Sequence, residues 1–108
     1  MTAFLLRIRQ LVEGGRSRVS EHGFREMKED GIRVADLLQG LATAEIVEAY
    51  PDYHKGPCVL ILQRDADGEP VHVLWGTSKS HPDEATLITA YRPHPSRWSA
   101  DYLRRLPK

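Results

Sequence analysis

The sequence predicts an α+β domain in which two to three N-terminal helices pack on a four-stranded antiparallel sheet, followed by a short C-terminal helix. Apolar residues repeat with a helical period up to about residue 40, and beyond it they follow the period of β-strands. Four strand-like segments then follow one another through short connections. Such connections favour antiparallel pairing, because parallel strands need long crossovers. The 108 residues are enough for one domain, which we expect to span residues 1–108.

The first predicted helix is amphipathic. Phe4, Ile8, Leu11 and Val12 have the spacing of one helix face. The pair Gly14-Gly15 is expected to end this helix.

The second predicted helix begins at Ser20, a residue type that caps helices. Phe24 completes a hydrophobic staple across this start and forms the apolar stripe of the helix together with Met27. Gly31 suits the left-handed position after the helix end. A third, short helix is expected over residues 34–39.

The second part of the chain contains the strand-like segments. The apolar run 58–62 predicts a central strand covered on both faces. The segment Asp65-Ala66-Asp67-Gly68 predicts a hairpin turn, and the polar residues 77–84 predict a loop. Ser99 is expected to cap the last helix. The predicted strands cover residues 43–50, 57–64, 71–76 and 85–91.

Composition excludes several classes of protein. The chain has 15 basic and 15 acidic residues, so its overall charge gives no general attraction to nucleic acid. Residues 92–108 nevertheless hold five basic residues and one acidic residue, which indicates either a site for phosphates or an acidic partner, or a solvated face. Cys58 is the single cysteine and no apolar run reaches about 20 residues, so we expect a cytoplasmic protein that does not enter a membrane.

The common motifs for nucleotides, cofactors and metals are missing from the sequence, and we expect no cofactor and no metal. His54 and Cys58 are four residues apart in a predicted loop, but two ligands do not make a zinc site. Cys58 itself is interpreted as a small buried hydrophobe.

Two histidines are candidates for acid–base chemistry, since imidazole titrates near neutral pH. His22 lies in the first turn of the second predicted helix, where the helix dipole favours the neutral ring, a form that can act as a base. His72 lies within a strand and points away from its neighbours Val71 and Val73. The alternative is that His22 is a surface or capping residue and His72 a histidine that is hydrogen-bonded beneath a helix.

The end of the fourth predicted strand carries a second group of polar residues. Thr89 and Tyr91 share one face of the strand, and Arg92 follows directly. Tyr91 offers a hydroxyl and a stacking surface, and an arginine can hold a phosphate with two donors. The alternative is that Thr89 and Tyr91 only shape the strand. Trp98 is interpreted as an anchor for the C-terminal tail.

Several short segments of the sequence resemble segments that occur together in one known family. They are Ser20-Glu21-His22, Gly31-Ile32, Asp52-Tyr53 with Gly56-Pro57, the segment from Gly68 to Gly76, and Leu87-Ile88-Thr89-Ala90-Tyr91-Arg92-Pro93 with Pro95 and Trp98. The chain resembles a bacterial family of small proteins registered as a domain of unknown function and often encoded beside zinc-finger antitoxins of the MqsA type. That family is distantly similar to the RelE and MqsR toxins, which cut messenger RNA without a metal.

The resemblance implies a RelE/MqsR-like endoribonuclease in which the ribose 2′-hydroxyl attacks the phosphate. Such chemistry needs a base, an acid and a cation. The implied partners are RNA and a cognate antitoxin protein. The sequence does not decide between a monomer and a homodimer. The implied catalytic residues are His22, His72, Tyr91 and Arg92, and the implied substrate-binding residues are Lys55, Thr89 and Arg97.

The neutral net charge departs from the strongly basic character expected of an RNA-binding toxin. A second hypothesis is therefore a non-catalytic interaction or regulatory domain on the same fold. A cavity that holds His22 and His72 with an arginine favours the nuclease. Histidines that are buried apart, together with an exposed apolar sheet edge, favour the interaction domain.

Overall fold

The computed structural model describes residues 2–107 and has the predicted α+β class. None of the helices in this part of the chain has the length and apolar character that a membrane span requires. The elements are α1 (Thr2–Glu13), β1 (Ser17–Val19), α2 (Glu21–Glu29), α3 (Val34–Gly40), a 3₁₀ turn (Leu41–Thr43), β2 (Glu45–Tyr50), β3 (Cys58–Arg64), β4 (Pro70–Ser78) and β5 (His81–Tyr91).

The sheet has five strands in the order β1-β5-β4-β3-β2 rather than the four that the sequence predicts. Strands β2 to β5 form an antiparallel meander, as expected. The additional strand, β1, lies between α1 and α2 and pairs in parallel with β5 through Ser17 and Ala85. Three residues are too few to show an alternating pattern, which is why the sequence did not reveal this strand.

The predicted loop over residues 77–84 is wrong, because β4 and β5 extend almost to their turn. Ser78 pairs with His81 across two residues, and the Ser78 hydroxyl accepts a hydrogen bond from the His81 backbone N–H at 3.0 Å. Strand pairing overrides the polar composition here, since polar side chains are tolerated where a hairpin projects into solvent.

The helices pack on one face of the sheet and form the main core. Its fully buried members include Ile8 on α1, Met27 on α2, Leu37 on α3 and Ile61 on β3. Facing them from β4 and β5 are Val71, Val73, Trp75, Ala85, Leu87 and Ala90.

Helix α2 presents a different stripe from the predicted one. Met27 is buried, but Phe24 is 56% exposed. The reason is Gly23, whose missing side chain lets α2 approach β5 so closely that a Cβ would lie 2.9 Å from the Ile88 carbonyl oxygen. Gly23 and Met27, four residues apart, therefore face the core and turn Phe24 outward. The predicted cap is confirmed, because the Ser20 hydroxyl accepts from the Gly23 N–H at 2.9 Å.

The predicted C-terminal helix is wrong. Residues 93–107, called the C-terminal segment below, form a compact loop in which Trp98 and Arg105 make an antiparallel bridge. Tyr102 has the left-handed φ of 61°, which is incompatible with a helix. Instead of capping a helix, the Ser99 hydroxyl donates to Asp101 at 2.6 Å and accepts from the Arg104 N–H at 3.1 Å.

Candidate functional site

The face of the sheet opposite the helices, called the open face below, carries the polar site. Alternation along the strands places His72 and Leu74 of β4 on this face, and the register pairs them with Tyr91 and Thr89 of β5. On the other side of β4, His72 pairs with Leu62 of β3. The C-terminal segment crosses part of the open face, where Trp98 packs edge-on against the His72 ring with 4.4 Å between the ring centroids.

Tyr91 and His72 form a hydrogen-bonded pair. The carbonyl oxygen of Tyr102 lies 2.8 Å from His72 Nε2 and can only accept, so Nε2 carries the proton of the neutral ring. Nδ1 then has a free lone pair, and the Tyr91 hydroxyl donates to it over 3.1 Å. The Tyr102 carbonyl therefore fixes the tautomer in which His72 accepts a proton from the direction of Tyr91.

Burial sets the charge of this pair. His72 has no exposed surface, and desolvation lowers the pKa of its imidazole, although the hydrogen bond to the Tyr102 carbonyl opposes this effect. Desolvation also raises the pKa of the Tyr91 phenol. The pair is neutral near pH 7. Tyr91 lines a cavity, whereas His72 has no exposed surface, so a molecule in this cavity can contact Tyr91 but not His72.

A second polar cluster lies beside the pair and joins the sheet to the C-terminal segment. Arg105 donates from Nε and Nη2 to the two carboxylate oxygens of Glu48, at 2.8 and 2.9 Å. The guanidinium also lies 4.8 Å from the centre of the Trp98 ring. The hydroxyl of Tyr50 donates to Glu48 as well, and the bonds from Arg105 and Tyr50 lower the pKa of the Glu48 carboxyl. Glu48 is therefore a carboxylate with fixed geometry.

Three adjoining cavities form a groove on the open face, called the open-face groove below. The central cavity, of about 340 Å³, has an apolar floor that includes Leu60 and Leu74. It shares Tyr91 and Arg105 with a neighbour of about 510 Å³. At the other end it shares Tyr53 and Ile88 with a cavity of about 230 Å³.

The lining of the open-face groove contains cations but no Asp or Glu. The cations are Arg18, Lys55, Arg92, Arg97 and Arg105. Three of them are paired with carboxylates that lie outside the lining, namely Glu84, Asp65 and Glu48. Within residues 2–107, Arg97 and Lys55 make no such pair and stand at opposite ends of the groove. A chain of zero net charge therefore has a locally basic groove.

The structure brings together most, but not all, of the predicted site residues. Thr89 lines the central cavity beside Tyr91, and Arg97 and Lys55 line the two end cavities. His22 does not line the groove. It lies on the outside of α2 with 62% of its side chain exposed, and its Nε2 is 3.4 Å from Glu26.

Arg92 lies at the edge of the groove, but its guanidinium is occupied by the protein. Nη2 pairs with Asp65 at 2.9 Å and Nε donates to the carbonyl of Asp30 at 3.2 Å. Nη1 is buried and has no hydrogen-bond partner among the described residues. Arg92 thus ties the end of β5 to the β3–β4 turn and to the end of α2.

Sequence reasoning missed Glu48, Tyr50, Tyr53 and Arg105. Glu48 and Tyr50 are two residues apart on a strand, and this spacing could have indicated a shared face. No local pattern indicates Arg105, because its position follows from the path of the C-terminal segment. Within residues 2–107 there is no group of three His, Cys, Asp or Glu side chains that could hold a metal ion.

The fold and the groove define a small α+β protein with a polar site on the uncovered face of its sheet. The chain belongs to the family described as domain of unknown function DUF4258, whose model matches residues 19–92. This range includes Glu48, His72 and Tyr91 and ends just before the C-terminal segment. Comparisons with curated proteins and with solved structures found no match.

Proposed function

We propose that the protein is a metal-independent endoribonuclease, the toxin of a toxin–antitoxin-like system, and that RNA binds in the open-face groove. The observation that carries this proposal is the hydrogen-bonded pair of Tyr91 and His72 in a groove lined by cations. An acid–base pair beside a cationic lining matches what RNA cleavage by the neighbouring hydroxyl requires.

The hydrogen-bond directions suggest the path of the proton. The ribose 2′-oxygen attacks the adjacent phosphorus, and the bond from phosphorus to the 5′-oxygen breaks, leaving a 2′,3′-cyclic phosphate. The phenol oxygen of Tyr91 accepts the 2′-hydroxyl proton while its own proton moves to His72 Nδ1 over the existing 3.1 Å contact. The leaving 5′-oxygen takes a proton from water, and the hydroxide so formed recovers the proton held by His72 and Tyr91, which restores the neutral pair. The hydrogen bond from Nε2 to the Tyr102 carbonyl stabilises the imidazolium, and the Glu48 carboxylate offsets part of the repulsion from Arg105.

The local distribution of charge answers the objection from the neutral net charge. Phosphates are attracted by the charges nearest to them, because salt screens charges more than about 8–10 Å away. Three of the five cations in the groove lining have a carboxylate within 3.3 Å, so the local excess of positive charge comes from Lys55 and Arg97. We therefore expect RNA binding that is moderate in strength and sensitive to salt.

One observation favours a second candidate function, a non-catalytic domain that binds a protein partner on the same fold. His22 does not line the groove with Tyr91, and His72 has no exposed surface, so the two histidines do not share a cavity. In this alternative, the pair of His72 and Tyr91 only holds the C-terminal segment on the sheet.

Cleavage of a defined RNA separates the two candidates. Purified protein should cut a single-stranded RNA and leave cyclic phosphate ends, and a matched strand with 2′-deoxyribose at the cleaved position should stay intact there. Tyr91→Phe should lower the rate by about 10²- to 10⁴-fold, the usual contribution of a general acid or base. It should also relieve the growth arrest that we expect when the protein is expressed in bacteria.

The fold of Tyr91→Phe is checked by its urea midpoint, since only one hydroxyl is removed. An intact RNA after incubation with pure protein at high concentration, or equal rates for the protein and for Tyr91→Phe, would contradict the nuclease. The first of these results would leave the interaction domain as the better candidate.

A further inference from the structure

We infer that Arg105, on the C-terminal segment, is the residue that binds the RNA phosphate beside Tyr91. Arg92 is not, although the sequence favoured it. The nature of the ligand rests on the proposed function. The position of Arg105 does not rest on the proposed function. Among the described residues, Arg105 and Tyr91 are the two that line both the central cavity and the 510 Å³ cavity, and Arg105 is the cation of this pair.

The guanidinium of Arg105 is held in place and still open to a ligand. Glu48 fixes its plane through two hydrogen bonds, and Trp98 supports one of its flat sides. The side chain is 61% exposed, and among residues 2–107 Glu48 is the only carboxylate that pairs with it. Arginine has five N–H donors in a planar fork, and Glu48 takes one from Nε and one from Nη2. The Tyr50 hydroxyl also contacts this side chain, and the donors that remain are left for phosphate oxygens.

Arg92 differs in each of these respects. Its Nε and Nη2 donate to Asp30 and Asp65, and its Nη1 is closed off from solvent. The Arg92 side chain is also less exposed than that of Arg105, 35% against 61%. Arg97 lines the cavity next to Arg105 and adds to the positive potential there.

The inference has a consequence for the family. The matched range 19–92 supplies Tyr91 and His72, whereas the phosphate-binding arginine of this chain comes from residues that follow it. The C-terminal segment would therefore complete the site as well as cover His72.

The test uses a probe that cannot be cut, so that binding is measured apart from catalysis. The probe is a fluorescein-labelled single-stranded RNA of six nucleotides with 2′-O-methyl groups on every ribose, and its dissociation constant is measured by anisotropy over a range of salt concentrations. Arg105→Gln should weaken binding at least tenfold, because a charge-assisted fork is lost. It should also reduce the slope of log K against log salt by about one.

Arg104→Gln is the matched control. It removes one positive charge from the same segment, but Arg104 is exposed and does not line the groove. This variant should bind the probe within about twofold of the unaltered protein. Arg105→Lys keeps the charge and loses the fork, so it should keep most of the salt slope and still bind several-fold more weakly.

Folding of each variant is checked by thermal unfolding and by tryptophan emission. Displacement of the segment should change the part due to Trp98, which packs against Arg105, and leave the part due to the buried Trp75 unchanged. If the C-terminal segment unfolds in Arg105→Gln, the affinity and salt slope of Arg105→Lys decide whether Arg105 binds the phosphate. Equal affinity and equal salt slope for Arg105→Lys, Arg104→Gln and the unaltered protein would overturn the inference, as would a failure of the unaltered protein to bind. A protein that binds the probe through Arg105 but cuts no RNA would overturn the proposed nuclease alone.

Discussion

The two faces of the sheet are built from the same strands but differ in chemistry. The face under the helices carries fully buried aliphatic residues such as Ile61 and Val73. The open face carries aromatic and charged residues above a thin apolar floor, and a short loop covers only part of it. Neighbouring residues of one strand therefore contribute either to stability or to the site, according to the direction in which they point.

This difference explains how a small domain can stay folded while it carries a polar site. Most of the apolar burial that opposes chain entropy is concentrated on the helix side. The open face can then hold a buried histidine, three tyrosines and a bound arginine without weakening the main core. Polar groups on that face are hydrogen-bonded to one another, which reduces the cost of their burial.

The largest effect should come from removing a core side chain on the helix side. Ile61→Ala should lower the free energy of unfolding by about 3–4 kcal/mol, because it leaves a cavity in a closed core. Leu74→Ala, on the neighbouring strand but facing the groove, should cost only about 1–2 kcal/mol, since water can enter the space. Urea unfolding with a constant m-value measures both.

This pair of variants tests whether the two faces differ in energy as well as in composition. Equal losses for Ile61→Ala and Leu74→Ala would mean that the open face is as closed in solution as the helix side. That result would weaken the argument that the groove is ready to take a ligand.

A smaller effect is expected from removing an exposed aromatic ring on the open face. Tyr53 lines two cavities of the groove, and a base stacked on an aromatic ring contributes about 1–3 kcal/mol. Tyr53→Ala should therefore weaken binding of the uncleavable RNA probe about tenfold. Phe24→Ala is the control, because Phe24 is at least as exposed, 56% against 45% for Tyr53, but lies on α2, outside the groove. A similar loss of affinity in both variants would place the RNA elsewhere.

The smallest effect is a dependence of stability on pH that belongs to the open face. The folded state lowers the pKa of His72, so below about pH 6.5 the unfolded chain binds a proton that the folded chain does not. Stability should be constant just above this pH and fall below it, by at most about 1.4 kcal/mol per pH unit, down to the pKa of the folded state.

The measurement is urea unfolding of the protein and of His72→Gln at several values between pH 7.5 and 5. Glutamine does not titrate, so the part of the slope due to His72 should disappear in the variant. An unchanged slope would show that His72 is not the group responsible, and would remove one support for the neutral pair with Tyr91.

The sequence predicted those features that depend on local spacing. The helix period, the Ser20 cap and the alternation along the strands led to the correct class and to His72 and Tyr91 as separate candidates, but their pairing across β4 and β5 was not predicted. Features that depend on distant parts of the chain were missed. The stripe of α2 is set by the close contact of Gly23 with β5, and the pairing of Glu48 with Arg105 joins residues 57 positions apart.

The parallel contact of β1 with β5 has a consequence for the order of folding. Ser17 emerges from the ribosome early, but its partner Ala85 follows about seventy residues later. Until the last hairpin has formed, β1 has no strand with which to pair. Helix α2 likewise lacks the β5 backbone against which Gly23 packs. Closing such a long loop is slow compared with forming hairpins. The first third of the chain should therefore be the last part to gain protection from hydrogen exchange. The antiparallel meander of β2 to β5, which comes later in the sequence, should gain its protection first.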